Sequence, residues 1–156
     1  MNTSRRGAVF LDTSVALGYL AGDQKAREIV ESGLELAING VVYSELVFAL
    51  LRTKYTALFG RYNLYSLKRE LDKGNPALLE MYDMARGFFE ALERGRGLRY
   101  LPENEEIIKE AGELAKRFGL LPNDALIAAT CRFYGIETIA TFDEDFKKIE
   151  WLKVIP

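Results

Sequence analysis

The amino-acid sequence predicts an α/β fold in which a central, mainly parallel β-sheet is flanked by helices. Short apolar segments alternate along the chain with longer segments of helical periodicity, which is typical of parallel strands joined by right-handed crossovers. The 156 residues, 49% of them hydrophobic, are enough to bury one substantial core. Because no internal repeat or long linker interrupts the pattern, we expect a single domain over residues 1–156.

The first part of the chain predicts one strand followed by two helices. The strand is the apolar segment AVFL at 8–11, and the Asp-Thr-Ser sequence after it is typical of a helix start. A second helix is predicted over 23–37 with Asp23 as its N-cap. Its apolar positions recur at helical spacing: Ala26, Ile29, Val30, Leu34 and Ala37.

The middle of the chain predicts mainly helix. Asn39-Gly40 indicates a turn into a short extended piece, after which the segment 45–55 has a helical pattern. A helical insert follows around residues 57–97, and its two helices are separated at Gly74-Asn75-Pro76.

The last third of the chain predicts three strands and three helices in alternation. The strands are LRYL at 98–101, ETIAT at 137–141 and WLKVI at 151–155. The helices span 102–119, with Gly119 at the C-terminal end, then 122–135, and a short one at 143–149.

The composition excludes several kinds of catalytic site. With no histidine in the chain, Ser-His-Asp, Cys-His and paired-histidine chemistry are all excluded. The single cysteine, Cys131, forms no internal disulfide or zinc cluster alone, and we expect a small buried apolar side chain there. A net charge of −2 argues against a protein covered in positive charge, although it leaves room for a local basic patch.

Apolar runs in the sequence are too short for a membrane span. None reaches the roughly 20 residues that a bilayer requires, and Asp12 interrupts the apolar run that follows Arg5 and Arg6, unlike a signal peptide. We therefore expect a cytoplasmic protein.

Four acidic residues stand at the starts of elements beside apolar stretches. Asp12 and Asp143 follow predicted strands, Asp124 opens an apolar helix, and Glu45 precedes the run LVFALL. Taken singly, each could be a helix cap or a first-turn acid. Taken together at one edge of a parallel sheet, they would repel one another unless a cation lay between them. Oxygen ligands without histidine suit Mg²⁺ or Mn²⁺, which promote phosphodiester hydrolysis.

Four ordered segments resemble the acidic motifs of PIN domains, the nuclease fold of VapC-type toxins in toxin–antitoxin pairs. They are VFLDTSVAL, VVYSELVFALL, LLPNDALIAAT and IATFDEDF. The resemblance implies a three-layer α/β/α fold, with Asp12, Glu45, Asp124 and Asp143 as the catalytic, metal-binding acids. It also implies Thr141 as a supporting hydroxyl and Asp145 as a companion. The helical insert around 57–97 departs from compact members of the family.

The same resemblance implies Mg²⁺ or Mn²⁺ as cofactor, single-stranded RNA as substrate, a homodimer, and a cognate antitoxin. On this interpretation Asp12, Asp124 and Asp143 hold the ion, and Glu45 holds it or orients the attacking water. Two alternatives stay open. One is a PIN-fold module that binds RNA or protein with little or no catalysis, and the other is a housekeeping RNA-processing nuclease.

A basic, tyrosine-containing stretch is the candidate RNA-binding surface. Its cations are interleaved with Tyr55, Tyr62 and Tyr65, as in surfaces that bind phosphates and stack on bases. The cations are Arg52, Lys54, Arg61, Lys68 and Arg69. The alternative is a set of ordinary amphipathic helices with a solvated basic face.

Overall fold

A computed structural model of the protein describes residues 7–156, so Arg5 and Arg6 lie outside the described residues. Within this range five strands form one sheet in the order β3-β2-β1-β4-β5, and all four neighbouring pairs are parallel. The strands are β1 (Val9–Leu11), β2 (Leu36–Ile38), β3 (Arg99–Tyr100), β4 (Thr138–Ala140) and β5 (Lys153–Ile155). The predicted α/β class with a parallel sheet is confirmed.

In the part of the chain that the structure describes, seven α-helices and one 3₁₀ helix connect these strands. They are α1 (Thr13–Leu20), α2 (Gln24–Val30), α3 (Gly40–Phe59), α4 (Leu64–Asp72), α5 (Pro76–Arg96), α6 (Glu105–Phe118), α7 (Pro122–Phe133) and the 3₁₀ helix Glu144–Lys148. Within residues 7–156, no helix is both long and apolar enough to cross a lipid bilayer.

One predicted helix is too long. Asp23 caps α2 as expected, accepting a hydrogen bond from the backbone N–H of Ala26 at 2.8 Å, but the helix ends at Val30. Gly33 then adopts a φ of +78°, a left-handed conformation that glycine tolerates and that turns the chain out of the helix. The last apolar residues of the predicted helix form the fully buried strand β2 instead.

The extended piece predicted after Asn39-Gly40 is also wrong, because α3 begins at Gly40. Asn39 is its N-cap and accepts a hydrogen bond from the backbone N–H of Val42 at 3.4 Å. The same buried side chain donates to Thr130 Oγ1 in α7 at 3.1 Å. This hydrogen bond fixes the start of α3 against α7.

The predicted insert corresponds to the end of α3 together with α4 and α5. Its helices join the hydrophobic core through buried side chains, among them Leu67, Leu78, Phe88 and Phe89. Cys131 is buried as predicted, and burial raises the pKa of its thiol.

The order in which the chain connects the strands determines where a binding site is expected. The chain moves outward from β1 through β2 to β3 and then returns to β4 on the other side of β1. Since such crossovers are right-handed, α1–α5 lie on one face of the sheet and α6–α7 on the opposite face. β1 and β4 are neighbours at the point where the strand order reverses, and the carboxyl ends of strands at such a point form the usual binding crevice of α/β sheets.

Candidate active site

A pocket of about 430 Å³ lies at the carboxyl ends of β1 and β4, and we call it the acid pocket. It brings together all four acids that the sequence singled out, although they are separated by up to 131 positions along the chain (143 − 12). Its lining consists of Asp12, Thr13, Ser14, Leu17, Glu45, Phe48, Ala49, Arg52, Asn123, Asp124 and Asp143.

Asp12 is the most deeply placed of these acids, with only 6% of its surface exposed. Its Oδ2 atom accepts hydrogen bonds from Ser14 Oγ at 2.8 Å and from Thr141 Oγ1 at 2.6 Å. Although Asp12 occupies the N-cap position of α1, its side chain makes no capping hydrogen bond. The capping interpretation is therefore wrong here: two hydroxyl groups fix one carboxylate oxygen and leave Oδ1 without a hydrogen bond from the described residues.

Glu45 is held at both of its carboxylate oxygens. Thr13 Oγ1 donates to Oε2 at 2.9 Å, and Asn123 Nδ2 donates to Oε1 at 2.8 Å. Because α3 begins at Gly40, Glu45 lies beyond the first turn, and the first-turn interpretation is wrong. These two hydrogen bonds link the starts of α1 and α7 to α3 through a single carboxylate.

Asp124 lies in the first turn of α7 and is partly buried. A helix N-terminus favours a negative charge, yet burial and the neighbouring charges of Asp143, Asp12, Glu45 and Asp145 raise the pKa of Asp124 to about 6. The environment of this carboxylate therefore opposes its ionisation.

Asp143 caps the 3₁₀ helix as one sequence interpretation expected, since its Oδ1 accepts from the backbone N–H of Asp145 at 2.9 Å. Asp145 pairs with Lys148 at 2.8 Å, whereas the highly exposed Glu144 pairs with Lys147 at 2.6 Å. Carboxylate oxygens of Asp124, Asp143 and Asp145 lie within 4.8 Å of one another. Glu144 does not line the acid pocket.

The donor set of the acid pocket fits a hard divalent cation. Its four acids offer carboxylate oxygens as ligands, and these are the ligands that Mg²⁺ and Mn²⁺ prefer. Among the described residues, none of the four predicted acids has an ion-pair partner, while Asp145 has Lys148. A bound cation would relieve the repulsion that raises the pKa of Asp124.

Sequence reasoning found one of the four polar side chains that hold Asp12 and Glu45 and missed the other three. Thr141 was expected as a supporting hydroxyl and is buried beside Asp12, where its Oγ1 also accepts from the backbone N–H of Asp143 at 2.9 Å. Thr13, Ser14 and Asn123 were not singled out, although each lies within two positions of a predicted acid. That adjacency was the available signal.

Of the five cations predicted to bind RNA, only Arg52 lines the acid pocket. Its guanidinium lies over the ring of Tyr62, 5.0 Å from the centroid. The other four lie in the second half of α3, in the turn after it, or in α4: Lys54, Arg61, Lys68 and Arg69. The structure therefore does not gather this group around the acids.

Comparison with known proteins finds relatives that match nearly the full length of the chain. The model of the PIN domain family matches residues 9–152. Ribonuclease VapC6 of Methanocaldococcus jannaschii is 36% identical over 152 residues, which cover 94% of this chain and 95% of the relative. Ribonuclease VapC2 of the same organism is 34% identical, with 94% of this chain and 92% of the relative covered.

Solved structures have the same fold. A chain in a toxin–antitoxin complex from Klebsiella pneumoniae superposes with a TM-score of 0.64 over 95% of this chain and 96% of its own length, at 18% sequence identity. At that identity the likeness concerns the fold.

Proposed function

The chain belongs to the PIN domain family, and from this premise we propose that it is a metal-dependent endoribonuclease that hydrolyses phosphodiester bonds of single-stranded RNA. The observation that carries the proposal is the acid pocket, where Asp12, Glu45, Asp124 and Asp143 converge at the strand-order reversal. Two relatives that match nearly the full chain are named ribonucleases.

The side chains of the acid pocket divide into two groups by their hydrogen bonds. Asp12, Asp124 and Asp143 would hold Mg²⁺ or Mn²⁺, with Asp145 beside them, because each has a carboxylate oxygen that the described residues leave without a donor. Such a cation polarises a phosphate and lowers the pKa of a bound water. Thr141 and Ser14 hold Asp12 in place through its other oxygen.

Glu45 has a different environment, since both of its oxygens already accept hydrogen bonds. Each oxygen retains one lone pair, so Glu45 can still accept a hydrogen bond from the attacking water or complete the ligand set. Thr13 and Asn123 restrict its rotation and so fix the direction in which that lone pair points. The chain has no histidine to act as a general base. In this proposal the Glu45 carboxylate orients the attacking water instead.

We further propose that the protein is the toxin of a toxin–antitoxin pair in the cytoplasm and that it forms a homodimer. A protein of the same fold has been solved as a toxin–antitoxin complex, and the two named relatives are VapC ribonucleases. The cognate antitoxin would cover the acid pocket and so block access of RNA to it.

RNA cleavage by matched variants tests the nuclease assignment. The parent protein and Asp12→Asn are incubated with fluorescent single-stranded RNA of mixed sequence in Mg²⁺, Mn²⁺ or EDTA. We expect the parent to cleave in either metal and not in EDTA, and Asp12→Asn to lose at least about 100-fold in rate, a change of about 2.7 kcal/mol in the barrier. Glu144→Gln removes an acid outside the pocket and serves as the control. Equal rates for the parent and Asp12→Asn would exclude the proposal.

A further inference from the structure

One face of α3 continues from the acid pocket into a second depression. Glu45, Phe48, Ala49 and Arg52 follow helical spacing and all line the acid pocket. A neighbouring depression of about 480 Å³ shares Ala49 and Arg52 and is completed by Thr53, Thr56 and Ala57. The two depressions adjoin at Ala49 and Arg52 on this face of α3, and we call the pair of them the groove.

Phe48 presents an aromatic surface in this groove. Its side chain is 42% exposed, although aromatic side chains of this size are usually buried. Its ring packs perpendicular to that of Tyr62, with centroids 6.4 Å apart, so it is held in one orientation while part of its surface faces solvent. An exposed aromatic ring of fixed orientation is the usual platform for a nucleic-acid base.

Arg52 is the only cationic side chain among the described residues that line the acid pocket. It forms no salt bridge with an acid in the described part of the chain, whereas Arg86, Arg99 and Arg132 each do. Its guanidinium instead packs on the ring of Tyr62. No acidic side chain among the described residues pairs with the guanidinium, so its N–H donors are available for a phosphate.

Tyr62 orders both of these groups at once. Gly60 ends α3 with a φ of +85°, and the chain turns back so that Tyr62 contacts α3 at Phe48 and Arg52. The same ring packs perpendicular to buried Tyr55 at 6.2 Å. The aromatic platform and the cation are therefore fixed before any ligand arrives, which reduces the entropic cost of binding.

We propose that Phe48, Arg52 and Tyr62 form a nucleotide-binding subsite beside the acid pocket. It takes a base and a phosphate of single-stranded RNA next to the phosphodiester that is cut. The subsite rests on the proposed ribonuclease function, because it specifies where the RNA lies relative to the acids. Glu45 and Arg52 are seven positions apart in α3, about 10 Å along the helix axis, a distance that a short stretch of a single strand can span. Its charge must be negative to complement Arg52.

RNA affinity of four variants tests the subsite. Binding of fluorescent single-stranded RNA to the full chain is measured by anisotropy with Ca²⁺ in place of Mg²⁺. We expect Phe48→Leu and Arg52→Gln each to weaken binding about tenfold, since stacking or phosphate contact of this kind contributes about 1.4 kcal/mol. Matched controls are Phe133→Leu, at a phenylalanine that is also 42% exposed, and Arg117→Gln, whose guanidinium also lies 5.0 Å from a ring centroid. Neither control residue lines the groove.

The dependence of binding on salt separates a phosphate contact from a loss of folding. We expect Arg52→Gln to reduce the slope of log K against log salt by about 0.7, the contribution of one phosphate contact on a single strand. Phe48→Leu should lower the affinity at an unchanged slope. Thermal melting of each variant checks that the fold is intact.

Two results would separate a failure of the proposed subsite from a failure of the nuclease assignment. If the parent binds RNA with the predicted dependence on Phe48 and Arg52 but cleaves nothing in Mg²⁺, the subsite stands and the nuclease assignment fails. If the parent cleaves RNA and both variants bind and cleave it as the parent does, the subsite is wrong and the nuclease assignment stands. A parent with no RNA affinity would also overturn the subsite. The subsite would likewise be wrong if Phe48→Leu and Arg52→Gln bound RNA as the parent does and lost only the binding of a protein partner.

Discussion

At the scale of single residues, short polar side chains set the positions of the acids. Ser14 and Thr141 donate to Asp12, and Thr13 and Asn123 donate to Glu45. The sequence predicted where Asp12, Asp124 and Asp143 stand because they follow strands or begin a helix, whereas Glu45 lies beyond the first turn of α3. Of their donors only Thr141 was expected, from the family resemblance. Thr13, Ser14 and Asn123 were not expected, because threonine, serine and asparagine at helix starts carry the same signal whether they cap a helix or hold a carboxylate.

Replacing Thr141 with valine tests this support. Valine has nearly the same shape but removes one of two donors to the buried oxygen of Asp12 and the acceptor for the N–H of Asp143. We expect a loss of about 2 kcal/mol in the free energy of unfolding, measured by urea denaturation without metal. Thr141→Ser keeps the hydroxyl and should retain most of the stability. A Thr141→Val protein as stable as the parent would show that these hydrogen bonds contribute little.

The raised pKa of Asp124 predicts how stability depends on pH. Its pKa is about 6 in the folded chain, above the ordinary value of 3.8, so between these values the folded state binds more protons than the unfolded state. The contribution of this group to stability therefore falls as the pH rises from about 4 to 6 and then stays constant. Asp124→Asn removes the charge that causes this loss.

We expect Asp124→Asn and the parent to melt at similar temperatures at pH 4 without metal. Above pH 6 the variant should melt roughly 2–4 °C higher, which corresponds to about 1 kcal/mol after allowing for solvent screening of a partly exposed group. Scanning calorimetry across this pH range measures the difference. A variant that is less stable than the parent at pH 7 would contradict the predicted sign.

At the scale of elements, helix boundaries were predicted where capping residues mark them. Gly119 ends α6 and Asn75-Pro76 begins α5, as predicted, whereas α6 begins after its N-cap Asn104 and not at residue 102. β2 was missed because Leu34 and Ala37 continue the helical spacing of α2, and only tertiary pairing of β2 with β1 decides the conformation of that segment. The start of α3 was missed because Asn-Gly is typical of both a turn and a capped helix start.

Two glycines within helices predict opposite effects of the same substitution. A Cβ atom at Gly18 of α1 would lie 3.1 Å from Ala26 Cβ and 3.1 Å from a ring carbon of Phe142. A Cβ at Gly112 of α6 would meet nothing within 4 Å. At Gly18, α1 therefore lies close to Ala26 of α2 and to Phe142, the residue between Thr141 and Asp143.

We expect Gly112→Ala to raise the free energy of unfolding by about 0.5–1 kcal/mol through helix propensity. At Gly18 the same gain is outweighed by overpacking, which costs about 1–3 kcal/mol, so Gly18→Ala should lower stability. Urea denaturation of both variants gives the two values. If both substitutions stabilised the protein, the packing of α1 against α2 would have to be looser than the structure has it.

At the scale of the whole molecule, the order of the strands brings residues distant in sequence to one site. The prediction of a parallel α/β sheet was sufficient to expect a site at the carboxyl ends of the strands, but not to identify β1 and β4 as neighbours. That order depends on long-range pairing, which no local pattern encodes. For the same reason the sequence grouped five basic residues, whereas the fold directs only Arg52 to the acid pocket.

The central claim is that the acid pocket is a working site for a divalent cation. Titration of Mn²⁺ into the parent, Asp124→Asn and Glu144→Gln by calorimetry tests it most directly. We predict saturable binding to the parent and to Glu144→Gln, and a loss of at least about tenfold in affinity for Asp124→Asn. If the parent bound no Mn²⁺ or Mg²⁺, or if Asp124→Asn bound as tightly as the parent, the converging carboxylates would not be a metal site and the proposed mechanism would be wrong.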